Sequence, residues 1–206
     1  MKIYMVRHGM PEGAEKGRRY LGLTNEPLCT KGKIQADNAG QLLSQFEPSG
    51  KIRIVSSTLT RSIQTAKIIN EHLGCDFIEI DDELREIDLG EWDGRYTVDI
   101  EREFPEEYAA RGADLWNHRT PGGETFAETG ARFRDALYEI VKWCGDDEAI
   151  VIVSHAGAIN AGLSLMTDLT FEEARALKLP YAGIIAVHGT ADDAGGLRLR
   201  IDNTYF

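Results

Sequence analysis

The sequence contains few of the residues that mark secreted, membrane or metal-binding proteins. Its three cysteines, Cys29, Cys75 and Cys144, are odd in number and widely spaced, so they give neither a disulfide framework nor the ligand spacing of a metal site. No run of about eighteen apolar residues is present to cross a membrane, and the first twenty residues carry charges where a signal peptide has an apolar stretch. These absences favour a reduced, cytoplasmic protein without a structural metal.

Positive charge is also scarce. The chain has 23 Lys and Arg against 34 Asp and Glu, which gives a formal net charge of -11. Nucleic acids and anionic membrane surfaces select basic faces, so neither is the expected partner. A small anionic substrate is still compatible, because one pocket can be locally positive in an acidic protein. With 206 residues and a hydrophobic fraction of 42%, we expect one domain over residues 1–206.

Strand-like and helix-like patterns alternate along the chain, which is typical of an α/β fold. The run 149–153 is continuously apolar, as in a central parallel strand that is covered on both faces. Other strands are predicted at the N-terminus and at 52–56, 77–80 (toward an edge), 183–188 and 197–202. Helices are predicted at 30–46, 58–73, 124–144 and 171–177, with one more from residue 158 and two short ones within 97–120. Thr30 is the expected N-cap of the first helix, and Ser57 or Thr58 that of the second. The predicted fold class is a three-layer α/β/α arrangement with a mostly parallel mixed sheet and a small helical cap inserted at about 95–122.

Two of the predicted strands end in a histidine. Arg7 and His8 follow the N-terminal strand, and His155 follows the central one. Arg61 lies in the first turn of the helix that follows the second strand. Because the carboxyl ends of parallel strands meet at one edge of a sheet, we expect these four side chains to lie close together.

Two arginines and two histidines at one point repel each other unless an anion lies between them. Arginine matches phosphoryl oxygens with a planar fork of N–H donors, and the backbone amides from Ala156 onward also suit an anion. A histidine held there can attack phosphorus and carry the phosphoryl group covalently. A carboxylic acid from the loop 84–94 then gives a proton to the leaving oxygen and later activates water. The acidic candidates are Glu86, Asp88, Glu91 and Asp93.

Four motifs together resemble those of branch 1 of the histidine phosphatase superfamily, the phosphoglycerate mutase-like group. They are Arg7-His8-Gly9, the stretch 56–66 around Arg61, Leu84-Arg85-Glu86 ahead of 90–94, and 153–157 around His155. The resemblance implies that His8 is the nucleophile that becomes phosphohistidine and that Glu86 is the general acid and base. It also implies that the phosphoryl group is held by Arg7, Arg61 and His155.

The loop after the Arg-His-Gly motif departs from the family pattern. Many members have Glu or Gln there, followed a few residues later by an Asn that touches phosphate, whereas this sequence has Met10 and, roughly, Ala14. The missing contact to substrate is predicted to come from Arg18, Arg19 or Tyr20.

The expected activity is hydrolysis of a small soluble phosphate ester through phosphohistidine, without a metal or another cofactor. A cofactor-dependent phosphoglycerate mutase is the main alternative. Family mutases have a longer segment between the acid and the second histidine and a longer tail, so hydrolysis is favoured. The loop 19–24 and the short cap also resemble α-ribazole phosphatases. A non-catalytic protein that binds phosphorylated ligands is a third alternative, disfavoured because all the chemical positions are present.

Overall fold

A mixed sheet of six strands lies at the centre of the computed structural model, which describes residues 1–46, 51–145, 148–191 and 196–205. The strands are β1 (Lys2–Arg7), β2 (Lys51–Ser57), β3 (Ile78–Asp81), β4 (Glu148–Ser154), β5 (Ile184–Ala191) and β6 (Leu197–Tyr205). Their spatial order is β3-β2-β4-β1-β5-β6. Strands β3, β2, β4 and β1 are parallel, whereas β5 and β6 join antiparallel. The predicted mixed sheet, with residues 149–153 in a central strand, is confirmed.

Helices connect most of these strands. They are α1 (Thr30–Phe46), α2 (Thr60–Leu73), α3 (Thr97–Glu103), α4 (Pro105–Ala113), α5 (Phe126–Lys142), α6 (Ala156–Met166) and α7 (Phe171–Ala176). Short 3-10 turns lie at Ala14–Lys16, Asp82–Leu84 and Gly90–Trp92. None of the helices in the described ranges is both long and apolar enough to span a membrane.

Alternate side chains of the central strands face two different helical layers, since successive residues of a strand point to opposite faces. Ile3 and Met5 of β1 pack in one core with residues of α5 and α6. Tyr4 and Val6 pack in a second core with residues of α1 and α2. The predicted α/β/α layering is therefore confirmed.

The carboxyl ends of three neighbouring strands lie side by side. Arg7 at the end of β1 pairs with Ser154 at the end of β4, and Ser56 of β2 pairs with Val153 of β4. The segments that leave these strands therefore start from adjacent points of one sheet edge.

Some helix starts differ from the predicted ones because the expected capping side chains bind elsewhere. The N-cap residue of α2 is Leu59, without a side-chain capping bond, so neither Ser57 nor Thr58 caps this helix. The hydroxyl of Thr58 donates to Asp82 at 2.7 Å, and Ser57 Oγ lies 2.9 Å from Nε2 of His155.

The boundaries of α5 and α6 also shift. α5 begins two residues later than predicted, because Thr125 caps it in a capping box with Glu128, and it ends before Cys144. α6 begins two residues earlier than predicted, directly after His155. Pro48, Ser49 and Gly50 predict a turn after α1, and these residues lie outside the described ranges.

The 95–122 segment contains α3 and α4, which agrees with the two short helices predicted there. Ile100, Leu115 and Trp116 of this segment pack in a third apolar cluster that includes Trp92 and Phe171. The segment thereby lies against the loop that follows β3 and against α7, both of which lead to the same edge of the sheet.

Candidate active site

The fully buried Arg61 side chain joins the three elements that meet at this edge. Its Nε lies 3.2 Å from Nε2 of His8 and 3.3 Å from Nδ1 of His155. Its two Nη atoms donate to the carbonyl oxygens of Thr24 and Gly22, both at 2.7 Å. The predicted meeting of the two histidines around Arg61 is present, with their ring centroids 5.0 Å apart.

His8 presents an unprotonated ring nitrogen to this centre. Its Nδ1 lies 2.7 Å from the carbonyl oxygen of Gly9, and because a carbonyl only accepts, Nδ1 carries the proton. Nε2 then holds the lone pair and accepts the bond from Arg61. Burial lowers the pKa of His8 well below its usual 6.5, and the charges of Arg61 and Arg7 lower it further. His8 is therefore a neutral imidazole with a nucleophilic Nε2.

His155 is held in the opposite tautomer. Its Nδ1 accepts from Arg61, so its Nε2 carries the proton and donates to Ser57 Oγ at 2.9 Å, with Ser62 Oγ at 3.2 Å. Burial lowers the pKa of His155 well below 6.5, and Arg61 and His8 add to this effect. The positive charge at the centre is therefore carried by arginine rather than by imidazolium.

Arg7 contributes a second guanidinium with unused donor capacity. Its Nη1 donates to the carbonyl oxygen of Leu179 at 2.9 Å, and its guanidinium lies 3.8 Å from the ring centroid of Tyr181. Its Nε is buried without a hydrogen-bond partner, an arrangement that costs about 1–3 kcal/mol. Burial lowers the pKa of Arg7, while Tyr181 and Glu86 act in the opposite direction. An anion beside this guanidinium would supply the missing acceptor.

The carboxylate of Glu86 is bound by backbone amides at the start of α6. It accepts from Gly157 N at 3.1 Å, from Ala158 N at 2.9 Å and from Ile87 N at 3.0 Å. The amides of Gly157 and Ala158, which we expected to bind the phosphoryl group, bind Glu86 instead, because free N–H groups of a helix start favour a carboxylate. A Cβ on Gly157 would lie 2.5 Å from Glu86 Oε1, so this contact requires glycine.

The other three acids considered from the sequence have different surroundings. Asp93 accepts from the amides of Gly22 and Thr24 at 2.8 and 2.7 Å, and so holds the loop whose carbonyls bind Arg61. Asp88 accepts from the nearby amide of Gly90, and Glu91 is exposed. Glu86, by contrast, lines a cavity.

The loop proposed to complete the phosphate site is bound to the start of the 95–122 segment, since Tyr20 N donates to the carbonyl oxygen of Arg95 at 2.9 Å and Thr97 N donates to that of Arg18 at 3.0 Å. Arg19 Nε donates to the carbonyl oxygen of Gly94 at 2.9 Å, and its Nη1 pairs with Glu26 at 3.4 Å. Tyr20 packs on Trp92 with ring centroids 5.5 Å apart. Arg19 is therefore bound within the protein, and both Arg19 and Tyr20 line the cavity that also contains Glu86.

Two cavities share Arg18, Arg19 and Leu21 in their walls. One, of about 240 Å³, contains Glu86 and Ala156; the other, of about 460 Å³, contains Arg7 and Tyr181. Glu86 and Arg7, two of the predicted site residues, therefore each line one of two cavities that share part of their walls.

The remaining histidines in the described ranges lie outside this centre. His72 binds Asp37 at 2.7 Å, and Nε2 of His188 lies 3.3 Å from the N-terminal amine of Met1. Within the same ranges no group of three or more His, Cys, Asp or Glu side chains is arranged to hold a metal ion.

Sequence reasoning missed the groups that orient the predicted residues. These are the carbonyls of Gly22 and Thr24, the hydroxyls of Ser57 and Ser62, and the ring of Tyr181. The position of Ser62 next to Arg61 is a local signal for one of them. The others lie far away in the chain and carry no motif.

A buried neutral histidine, two arginines and a carboxylate at the carboxyl edge of an α/β sheet define a protein of the phosphoryl-transfer class. The chain belongs to the histidine phosphatase superfamily (branch 1), whose family model matches residues 3–202. The resemblance found in the motifs is thereby confirmed over almost the whole sequence.

Curated relatives include both phosphatases and mutases. The chain is 33% identical over 196 residues to the glucosyl-3-phosphoglycerate phosphatase of Mycobacterium tuberculosis, covering 91% of this chain and 80% of that protein. It is 32% identical over 186 residues to the probable phosphoglycerate mutase GpmB of Enterobacter sp. (strain 638), covering 89% and 83%.

Solved structures show the same fold. The structure of a mycobacterial glucosyl-3-phosphoglycerate phosphatase with VO3 has a TM-score of 0.84 at 28% identity, covering 98% of this chain and 96% of that one. The α-ribazole phosphatase from Shigella flexneri has a TM-score of 0.81 at 24% identity, covering 98% and 95%, and supports the fold alone.

Stability is expected to fall as the pH drops below about 6.5. His8 and His155 both have a pKa lowered by burial, so the unfolded chain binds more protons than the folded one in this range. The free energy of unfolding should decrease by about 1.4 kcal/mol per pH unit for each histidine. Urea unfolding between pH 5 and 7.5 measures this slope.

The matched control compares two histidine variants. His155→Asn should remove about half of the acid slope, whereas His118→Asn, in the 95–122 segment, should leave it unchanged. An identical slope in the parent protein and in His155→Asn would contradict the assignment of a neutral, buried imidazole.

Proposed function

We propose that this protein is a metal-independent phosphomonoesterase that hydrolyses a small phosphate ester through a phosphohistidine. Nε2 of His8 forms a bond to phosphorus while the bond to the ester oxygen breaks, and Glu86 gives that oxygen a proton. Glu86 then takes a proton from a water molecule whose oxygen attacks phosphorus. The N–P bond breaks, inorganic phosphate is released, and His8 and the protonated Glu86 are regenerated.

Arg7, Arg61 and His155 are proposed to stabilise the charge on the phosphoryl oxygens. Arg61 uses one N–H on each of its three nitrogens for the bonds described above, which leaves two N–H groups for an anion. Fixed donors of this kind cost no reorganisation during the reaction. Ala156 and Tyr20, in the wall of the cavity with Glu86, are proposed to contact the substrate. Arg19, which lines the same cavity, is also proposed to contact the substrate.

The observation that supports this proposal most is the tautomer of His8. The Gly9 carbonyl fixes the proton on Nδ1, and burial keeps Nε2 unprotonated toward Arg61. A protein that merely binds phosphate benefits from a cationic histidine, whereas a nucleophile requires a neutral one. The same arrangement also serves a mutase, which is the second candidate because a curated relative carries that description.

Assays on the unmodified protein separate the candidates. We expect release of phosphate from p-nitrophenyl phosphate and from several small esters, together with an acid-labile phosphoprotein in rapid-quench labelling. Faster conversion of 3-phosphoglycerate to 2-phosphoglycerate with 2,3-bisphosphoglycerate than hydrolysis of any ester would favour the mutase. Absence of cleavage between pH 5 and 8 would favour a non-catalytic binder.

Glu86→Gln should slow hydrolysis of alkyl phosphates by about 10²–10⁴-fold. The amide cannot give a proton to an alkoxide, whereas p-nitrophenolate leaves without one, so the first turnover of p-nitrophenyl phosphate, measured as the burst of p-nitrophenolate, should lose much less. The later attack of water on the phosphohistidine, which Glu86 also assists, should slow for both ester types. Competitive inhibition by phosphate should change little, because the phosphoryl-binding groups remain. The matched control is Glu91→Gln, an exposed acid of the same loop. Equal losses in the first turnover of both ester types would argue that Glu86 acts on something other than the leaving oxygen.

We further propose that residues 1–206 form one domain in which the 95–122 segment acts as a cap, and that the protein works in the cytoplasm. The match of one family model to residues 3–202 supports the first part. The three free cysteines, which suit a reducing compartment, support the second.

A further inference from the structure

Four arginines line the cavity that contains Glu86. Arg19 pairs with Glu26, whereas the other three have no carboxylate partner among the described residues. Arg18, Arg111 and Arg175 all contribute to its wall, yet none of them has an acidic partner within 4.0 Å among the described residues. Apart from Arg7 and Arg61 at the candidate active site, the other arginines of the described ranges are paired with acids, as Arg53 is with Glu79 at 2.6 Å. Acidic residues outnumber basic ones in this chain, which has a net charge of -11, yet none of them is placed beside these three arginines within the described residues.

Arg111 is the best-fixed member of this group. It extends from α4, with its guanidinium 5.3 Å from the ring centroid of Tyr20 and 5.7 Å from that of Phe126. Arg175, on α7, lies 5.8 Å from the ring centroid of Phe171. The rings of Phe126 and Phe171 are in contact, with centroids 4.8 Å apart. The guanidinium groups of Arg111 and Arg175 therefore both lie near one connected group of aromatic rings.

These cations repel one another. Burial lowers the pKa of Arg111 most, while Tyr20 acts in the opposite direction and the charges of Arg175 and Arg18 lower the pKa further. Like charges kept together without a counter-charge are a cost in stability, and an anion placed among them removes that cost. Solvent contact of the exposed Arg18 and Arg175 reduces the repulsion but supplies no counter-charge.

The position of Glu86 decides which part of a substrate enters this cavity. A general acid must lie within hydrogen-bond reach of the leaving oxygen. If Glu86 protonates that oxygen, the alcohol part of the ester extends along the wall that carries Arg111 and Arg175. The cavity volume of about 240 Å³ accommodates a small alcohol.

We infer that the preferred substrate is a phosphomonoester whose alcohol part carries a second anionic group, bound by Arg111 and Arg175. This inference rests on the proposed function and adds the substrate class. Both a carboxylate and a second phosphate match the guanidinium donors.

Three esters of one carbon skeleton test the inference. Glycerol 3-phosphate carries no second anion, 3-phosphoglycerate carries a carboxylate, and glycerol 1,3-bisphosphate carries a second phosphate. We expect kcat/KM for 3-phosphoglycerate or for glycerol 1,3-bisphosphate to exceed that for glycerol 3-phosphate by about 10- to 100-fold. This is the effect of a charge-assisted hydrogen bond to the second anionic group. Whichever of these two esters has the higher kcat/KM shows whether the second anionic group is a carboxylate or a phosphate.

Variants assign the preference to residues. Arg175→Gln and Arg111→Gln should each lower the ratio of the two kcat/KM values by about tenfold, and Arg175→Glu should lower it more. The matched control is Arg134→Gln on α5, an exposed arginine beside Asp135, which removes the same charge and should leave the ratio unchanged. Urea unfolding midpoints verify that the variants are folded; Arg175, being exposed, remains testable if Arg111→Gln unfolds.

The two proposals fail in different ways. If none of the three esters nor p-nitrophenyl phosphate is hydrolysed, the proposed function is wrong. If p-nitrophenyl phosphate is hydrolysed but kcat/KM for glycerol 3-phosphate equals the values for the other two esters, the proposed function stands. The inference about the second anionic group is then overturned. A preference that survives both Arg175→Glu and Arg111→Gln overturns the assignment to these residues.

Discussion

His8→Ala is expected to abolish turnover, with kcat lower by on the order of 10⁴-fold or more, as for removal of other enzymatic nucleophiles. Nε2 of His8 is the atom proposed to bond to phosphorus, and His155 cannot replace it. Nδ1 of His155 is engaged by Arg61, and its Nε2 carries the proton donated to Ser57. The second ring is therefore held by the protein on both of its nitrogens.

The measurement combines steady-state hydrolysis with rapid-quench labelling by a ³²P-ester. The parent protein should give an acid-labile, base-stable phosphoprotein, and His8→Ala should give none. His118→Ala, which removes an imidazole from the 95–122 segment, should retain both rate and label. Labelling of His8→Ala at normal yield would show that another residue is the nucleophile and would sink the mechanism.

Much of the site could be predicted because it follows from strand ends. A strand pattern that breaks into Arg7-His8, and a second that breaks into His155, places these side chains by sheet topology alone. The parallel pairing of β1 with β4 and of β4 with β2 then brings them together. Apolar periodicity was sufficient for the layering, since it depends on local spacing.

The contacts between loops could not be predicted in the same way. The carbonyls of Gly22 and Thr24 bind Arg61, and any residue type provides a carbonyl, so no sequence pattern marks them. The N–H groups after His155 were correctly expected to attract an anion. That the anion is the carboxylate of Glu86, from a loop 71 residues away in sequence, depends on tertiary folding.

Arg61→Met is expected to reduce both the rate and the stability, for separate physical reasons. The variant loses the donor that lies between His8 and His155 and the N–H groups proposed to bind the phosphoryl oxygens, which should lower kcat/KM by about 10³–10⁵-fold, as for arginines that stabilise phosphoryl transfer. It also leaves the carbonyls of Thr24 and Gly22 without their donor, at about 1–3 kcal/mol each. Urea unfolding and hydrolysis of p-nitrophenyl phosphate measure the two effects.

A second arginine separates the two effects. Arg53→Met removes a half-buried guanidinium that binds Glu79 and Cys144, so it should lower the free energy of unfolding while leaving kcat/KM within about twofold, as expected for a site outside the reaction. Arg61→Lys should recover the positive charge. It should not recover the planar guanidinium, whose donors reach two carbonyls and two imidazoles at once. If Arg61→Met and Arg53→Met lost stability equally and neither lost rate, Arg61 would be a structural residue. The phosphoryl group would then have to be bound by Arg7 without the help of Arg61.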